Sequence, residues 1–115
     1  MNMSSEMAED LQIIKILEKR IDAAAAIQFK DRVRELTAEQ DTPVVLDLSE
    51  VDFVDSSGLG AIVAAMKFLG SERPLHLAGL TPIVAKVFAL TRMERVFKIF
   101  QSPVDAVKSY EAKRA

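Results

Sequence analysis

The run VVLDL at residues 44–48 constrains this chain more than any other stretch. It is apolar at every position except Asp47, so it suits a central strand covered on at least one side. Seven residues separate it from an apolar segment, SSGLGAIVAAMKFLG, whose hydrophobic spacing is helical. A buried strand that runs almost directly into a helix is the repeating unit of an α/β layer structure.

The flanking segments extend that reading. Residues 1–9 are polar and are expected to be disordered or to supply a weak edge strand, and LQIIKIL at 11–17 reads as a strand. Asp22 offers an N-cap for a helix over 23–39, with Ala26, Phe29, Val33 and Leu36 as its buried stripe. Residues 40–42 turn, and Pro43 opens the central strand. The helix after DSSGLG runs to about Leu69, with Gly70 as its C-terminal stop. LHLAG after Pro74 is a further strand, and Thr81-Pro82 starts a helix to about Leu90 with a hydroxyl cap and proline in the first turn. Residues 97–100 form the last strand. Ser102-Pro103, with Asp105 in the first turn, opens a final helix through Tyr110. The expected fold is α/β, one domain over residues 1–115 with a single mixed sheet.

Composition removes several function classes. At 115 residues there is no room for a second core. The formal charge of −2 argues against a nucleic-acid binder, and the absence of cysteine excludes disulfides and thiolate metal sites. The N-terminus lacks the basic and apolar regions of a signal peptide. The charge-free run over 56–66 is too short to span a bilayer. An intracellular protein or module, not inserted in a membrane, is expected.

The candidate site is the DSSGLG turn. A helical wheel places Leu59, Ile62, Val63, Met66 and Leu69 toward the sheet and Gly60, Ala61, Ala64, Lys67 and Phe68 outward. An outward face with one charge, small residues and a ring suits a docking surface, or else it is covered by another element of the domain. Ser56 and Ser57 admit two readings. Either serine could cap the helix, worth on the order of 1 kcal/mol. Alternatively, one is a phosphoacceptor: its phosphate would sit at the positive end of the helix, where the fold tolerates it. A docked partner would not tolerate it so well. At about 6 Å from Asp55 or an acidic partner group, a dianion repels a monoanion by roughly 5 kcal/mol at an effective dielectric near 20.

The segment VVLDLSEVDFVDSSGLG resembles the STAS domain of bacterial anti-sigma factor antagonists. RIDAAAAIQFKDRVREL is similar to the first helix of that family, and LTPIVAKVFALTRMERVFKIFQSPVDAV to its last helix, strand and helix. The resemblance implies a small mixed sheet of four to five strands with helices mainly on one face. It also implies a cytoplasmic regulator with no cofactor and no catalytic residues of its own. Ser56 matches the residue phosphorylated in the family by a serine kinase of the histidine-kinase-like ATPase fold, which is also the anti-sigma factor. A metal-dependent serine phosphatase reverses the step, and the unphosphorylated protein binds the kinase and frees a sigma factor. Asp22, Asp55, Ser57 and Gly58 join Gly60, Ala61, Ala64, Lys67 and Phe68 as the expected partner-binding set. The chain departs from the family at Lys19, Arg20 and Ile21, where a G-E-L-D turn is usual, and at the alanine run after it.

Rival readings are weaker. The single histidine, His76, lies within a strand pattern and gives no reason to pair with Ser56 in a hydrolase. Asp47, Asp52 and Asp55 lie at strand and turn positions rather than at metal-ligand spacing. Gly-Leu-Gly lacks the spacing and lysine of a phosphate loop. The remaining alternative is an adaptor of the same fold in a transport or sensory assembly, without a phosphate cycle.

Overall fold

The structure, a computed structural model, describes residues 1–114. In chain order the elements are β1 (Met3–Ala8), β2 (Leu11–Ile16), β3 (Arg20–Ile21), α1 (Ala26–Thr37), β4 (Val44–Asp47), β5 (Phe53–Val54) and α2 (Ser56–Leu69). They continue as β6 (Leu75–Ala78), α3 (Pro82–Leu90), a short 3-10 turn (Met93–Arg95), β7 (Ile99–Phe100) and α4 (Pro103–Arg114). Five strands form one mixed sheet in the order β1-β2-β4-β6-β7, in which only β1 runs antiparallel to its neighbour. Residues 1–9 therefore supply an edge strand. β3 and β5 pair separately as a two-residue parallel ladder beside the start of α2.

Strand β4 sits at the centre of the sheet, between β2 and β6, and is buried on both faces. On one face Val44 and Leu46 join Ile14, Ile16, Leu75 and Leu77, and this surface is covered by Phe29 and Val33 of α1, Ile62 of α2 and Val84 and Phe88 of α3. On the other face Val45 packs with Leu11, Ile13 and Ala78 beneath Ala106, Val107 and Tyr110 of α4. Three helices on one side and one on the other result from this alternation, since successive strand residues point to opposite faces. Each large side chain fully buried here contributes roughly 1.5–3 kcal/mol.

Several boundaries differ from the sequence expectation for identifiable reasons. Helix α1 begins at Ala26 rather than Ala23, because residues 22–25 form a turn in which Ala25 N–H donates to the backbone oxygen and Oδ1 of Asp22 at 3.0 and 3.2 Å. Within the expected stripe, Phe29 and Val33 are buried, whereas Ala26 and Leu36 are only partly so. The Thr81 hydroxyl does not cap α3; it donates to the Val51 carbonyl at 2.8 Å and ties the helix start to the loop before β5. β7 is shorter than 97–100, because Phe97 turns into the core against Phe88 with ring centroids 6.2 Å apart. α4 extends past Tyr110, and Ser102 Oγ accepts from Asp105 N–H at 3.2 Å at its start.

One side chain fixes the far end of the α1–α2 pair. Arg73, in the loop after α2, donates from Nε to the Thr42 carbonyl at 3.0 Å and from Nη1 to the Thr37 carbonyl at 3.2 Å. The second bond joins that from Gln40 N–H, at 3.3 Å, on a carbonyl at the C-terminus of α1.

His76 on β6 faces α4, with Nε2 2.7 Å from the Tyr110 hydroxyl and its ring edge-on to Phe100. Burial, reinforced by Lys98 and Lys113, lowers its pKa to about 4. The neutral imidazole is thus the folded form. Between about 6.5 and about 4 the unfolded chain binds the proton that the folded chain refuses, so this residue stabilises the fold above pH 6.5 and that contribution is lost as pH falls toward 4. Urea unfolding at steps across this window should show a steeper loss of stability in the wild type than in His76→Phe.

Candidate functional site

The site is assembled where the β3–β5 ladder meets the first turn of α2. Asp55 is the N-cap of α2, in extended conformation, and its Oδ1 accepts from Gly58 N–H at 2.8 Å. Its Oδ2 accepts from Ala23 N–H at 3.2 Å. One carboxylate therefore holds both the helix start and the turn that leads into α1. The sequence offered either serine as the cap; the structure gives it to Asp55 and leaves Ser56 and Ser57 as the first two helical residues, both exposed. Both carboxylate oxygens of Asp55 thus accept from backbone donors.

Gly58 lies flat against strand β3. A Cβ at this position would stand 1.9 Å from the Ile21 carbonyl oxygen, so the close approach that glycine permits is internal to the domain. Its need for glycine is therefore met inside the fold. At Gly60 a Cβ would meet nothing within 4 Å. That position is open.

Of the first four N–H groups at the helix start, Asp55 N–H reaches the Ile21 carbonyl at 3.4 Å and Gly58 N–H is capped. The N–H groups of Ser56 and Ser57 are left facing out along the axis, where the helix dipole is positive. Beside them Asp22 accepts from Arg20 Nε at 3.2 Å, and that bond is the main reason its carboxyl pKa is lowered. The Arg20 guanidinium also lies 4.1 Å from the Phe53 ring centroid, so Arg20 bridges the ladder to Asp22.

The outward face of α2 is only partly as expected. Gly60 and Lys67 are exposed, Ala64 is half-buried, and Phe68 is 47% exposed. Ala61 is 3% exposed and belongs to the core; the wheel misplaced it because α2 packs against α1 as well as the sheet, which widens its buried arc. The α1–α2 seam carries a shallow recess lined by Lys30, Val33, Arg34, Ala64, Ala65 and Phe68, with the Arg34 guanidinium 4.6 Å from the Phe68 ring centroid. Sequence reasoning missed the α1 side of this surface. Lys30 and Arg34, four residues apart with Ile27 beside them, were a legible exposed stripe on α1.

The other candidates disperse. His76 is across the sheet, facing α4. Asp47 accepts from Ser49 N–H, Asp52 pairs with Lys19 at 3.9 Å, and Asp55 binds two backbone amides. No helix among the described residues is long and apolar enough to cross a membrane.

Two pairs of substitutions test this geometry by thermal or urea unfolding. Gly58→Ala should destabilise the fold by about 2 kcal/mol or more, because backbone must move, whereas Gly60→Ala should stabilise it by about 0.5–1 kcal/mol. Asp55→Ala should cost about 1–2 kcal/mol, and Ser57→Ala should change stability by less than about 0.5 kcal/mol.

Comparison with known proteins agrees with this fold. Residues 4–106 match the family model described as the STAS domain. The chain is 32% identical over 102 residues to the anti-sigma-B factor antagonist of Listeria monocytogenes, covering 86% of this chain and 90% of that one. It superposes on an anti-sigma factor antagonist from Mycobacterium paratuberculosis with a TM-score of 0.82, at 23% identity, over 94% of this chain and 92% of that one. The Bacillus cell fate determinant SpoIIAA in its phosphorylated form gives a TM-score of 0.66 at 18% identity, over 95% and 99% of the two chains. A family match over nearly the whole described chain, with a mixed five-stranded sheet to go with it, leads to one assignment: the chain belongs to the STAS domain family.

Proposed function

We propose that this protein is an anti-sigma factor antagonist that switches partners through phosphorylation of Ser56. The observation that carries the proposal is the placement of Ser56: exposed, first in α2, and held at a fixed helix N-terminus by a cap that is not itself a serine. The names of the Listeria and Mycobacterium proteins support the antagonist role. The phosphorylated form of SpoIIAA shows that a protein of this fold carries the modification.

The unphosphorylated form binds a serine kinase that doubles as the anti-sigma factor, through Ser57, Gly60, Ala64, Lys67 and Phe68 of α2, with Asp22 at the upper edge and Lys30 and Arg34 of α1 alongside. In the kinase, Ser56 Oγ attacks the γ-phosphorus of ATP; the bond to ADP breaks and the hydroxyl proton leaves to a base of the kinase. The phosphate gains the two outward N–H groups and the positive helix end, so the fold is retained. The partner, whose surface lay over this turn, meets a dianion. A metal-dependent serine phosphatase restores the binding form, and the cycle runs in the cytoplasm. The chain acts as substrate and regulator, without catalysis of its own.

Titration of the purified kinase, captured from native lysate and identified by peptide mass spectrometry, measures the switch. Ser56→Asp should weaken binding on the order of 100-fold with little change in melting temperature. Ser56→Ala should bind like the unmodified protein whether or not ATP is present. Equal affinity of wild type and Ser56→Asp, or capture of a transporter or sensory scaffold with Ser56 unmodified, would sink the switch in favour of a fixed adaptor.

A further inference from the structure

The sheet ends on an open edge. Among the described residues β1 is the terminal strand and pairs only with β2. Leu17 N–H donates to the Asn2 carbonyl at 2.9 Å, which makes Asn2–Leu17 a hydrogen-bonded pair. Bonded and non-bonded pairs alternate along an antiparallel ladder, so Ser4–Lys15, Glu6–Ile13 and Ala8–Leu11 are bonded as well. The N–H and C=O groups of Met3, Ser5 and Met7 consequently point away from the sheet. Natural edges are usually blunted by charged side chains, above all lysine, by proline or by a bulge. This strand carries a single charge, Glu6, with neither lysine nor proline, and its register with β2 is unbroken over all six positions. Two apolar features adjoin it. Met7 is 45% exposed on the face shared with α1 and α2, and on the other face a groove of about 340 Å³ opens between Ala8 and Ile13 on the strands and Val104 and Val107 of α4.

We propose that a second copy of this chain occupies the edge, β1 pairing antiparallel with its counterpart across a twofold axis through Ser5. The register is set by matching. With the axis at Ser5, the three outward-pointing residues of the strand face one another, Met3 against Met7 and Ser5 against Ser5, and six N–H···O=C bonds form. Glu6 then lies opposite Ser4 of the second copy, whose hydroxyl can donate to the carboxylate. An axis at Glu6 would set two carboxylates directly opposite each other, a repulsive pair, and would match only two of the three outward residues. The chosen register also covers the exposed Met7 with Met3 of the second copy, joining two five-stranded sheets into one of ten. An interface of one strand and its flanks lies at the small end of specific interfaces, so the dimer is weak and forms only at high protein concentration.

The chain has no native cysteine, so single-cysteine variants report the register directly. Ser4 and Glu6 would form a non-hydrogen-bonded pair with Cα atoms about 4.5 Å apart, a separation that a disulfide spans. Under mild oxidation at high concentration, an equimolar mixture of Ser4→Cys and Glu6→Cys should give the mixed disulfide, while neither variant alone should cross-link. Cross-linking of Glu6→Cys with itself would overturn the register. Sedimentation equilibrium of the wild type should show dimer growing from micromolar to millimolar concentration, and a chain still monomeric at millimolar concentration would overturn the proposal. Ser5→Pro removes an outward N–H, which the monomer fold does not use, and should abolish association with an unchanged circular dichroism spectrum. Met7→Lys, which leaves the backbone untouched, gives the same readout if the proline variant does not fold.

Discussion

Everything in this domain hangs on β4 being buried on both faces. A strand covered from two sides must sit inside a sheet, its parallel neighbours require crossover helices, and those helices then supply the covering layers. Val44 and Leu46 recruit α1, α2 and α3, while Val45 recruits α4. The end of β4 therefore has a fixed address. The loop to β5 and the first turn of α2 are presented there, at the carboxyl end of a parallel sheet, where α/β proteins place their functional loops.

Rigidity at that address comes from two small groups rather than from bulk. The Asp55 carboxylate joins the α2 start to the turn before α1, and the missing side chain of Gly58 lets the Ile21 carbonyl press against the helix. Both act on backbone. The serines ahead of Gly58 are thus free of structural duty, which is the condition a modifiable residue must meet if modification is to leave the fold intact.

The layer order, the central strand and the DSSGLG turn were legible because they depend on hydrophobic period and on short-range cap chemistry. Position 55 was legible as polar but not as the cap, since Asp and Ser serve equally at a helix N-terminus and only the backbone shows which residue is extended. Ala61 was misplaced for a different reason. A helical wheel assumes one buried face, and α2 has two neighbours, the sheet and α1; small residues such as Ala61 and Ala65 mark that second seam. Thr81 carried a cap signature yet spends its hydroxyl on Val51, thirty positions earlier, which no local pattern encodes. The start of α1 was lost because Asp22 closes a local turn over residues 22–25, and Asp55, far along the chain, holds that turn through Ala23.

Arg73 gives the surface between α1 and α2 a mechanical character. By gripping the backbone at Thr37 and Thr42 from the loop that leaves α2, it closes the seam at one end, while the Asp55 bridge to Ala23 closes it at the other. A seam clamped at both ends behaves as a stiff beam rather than a hinge. A partner docked there, as proposed, would find its walls already at their final spacing, and little ordering free energy would be spent on arrival. Selectivity among visitors then rests on their shape and charge, not on which of them can force the helices apart.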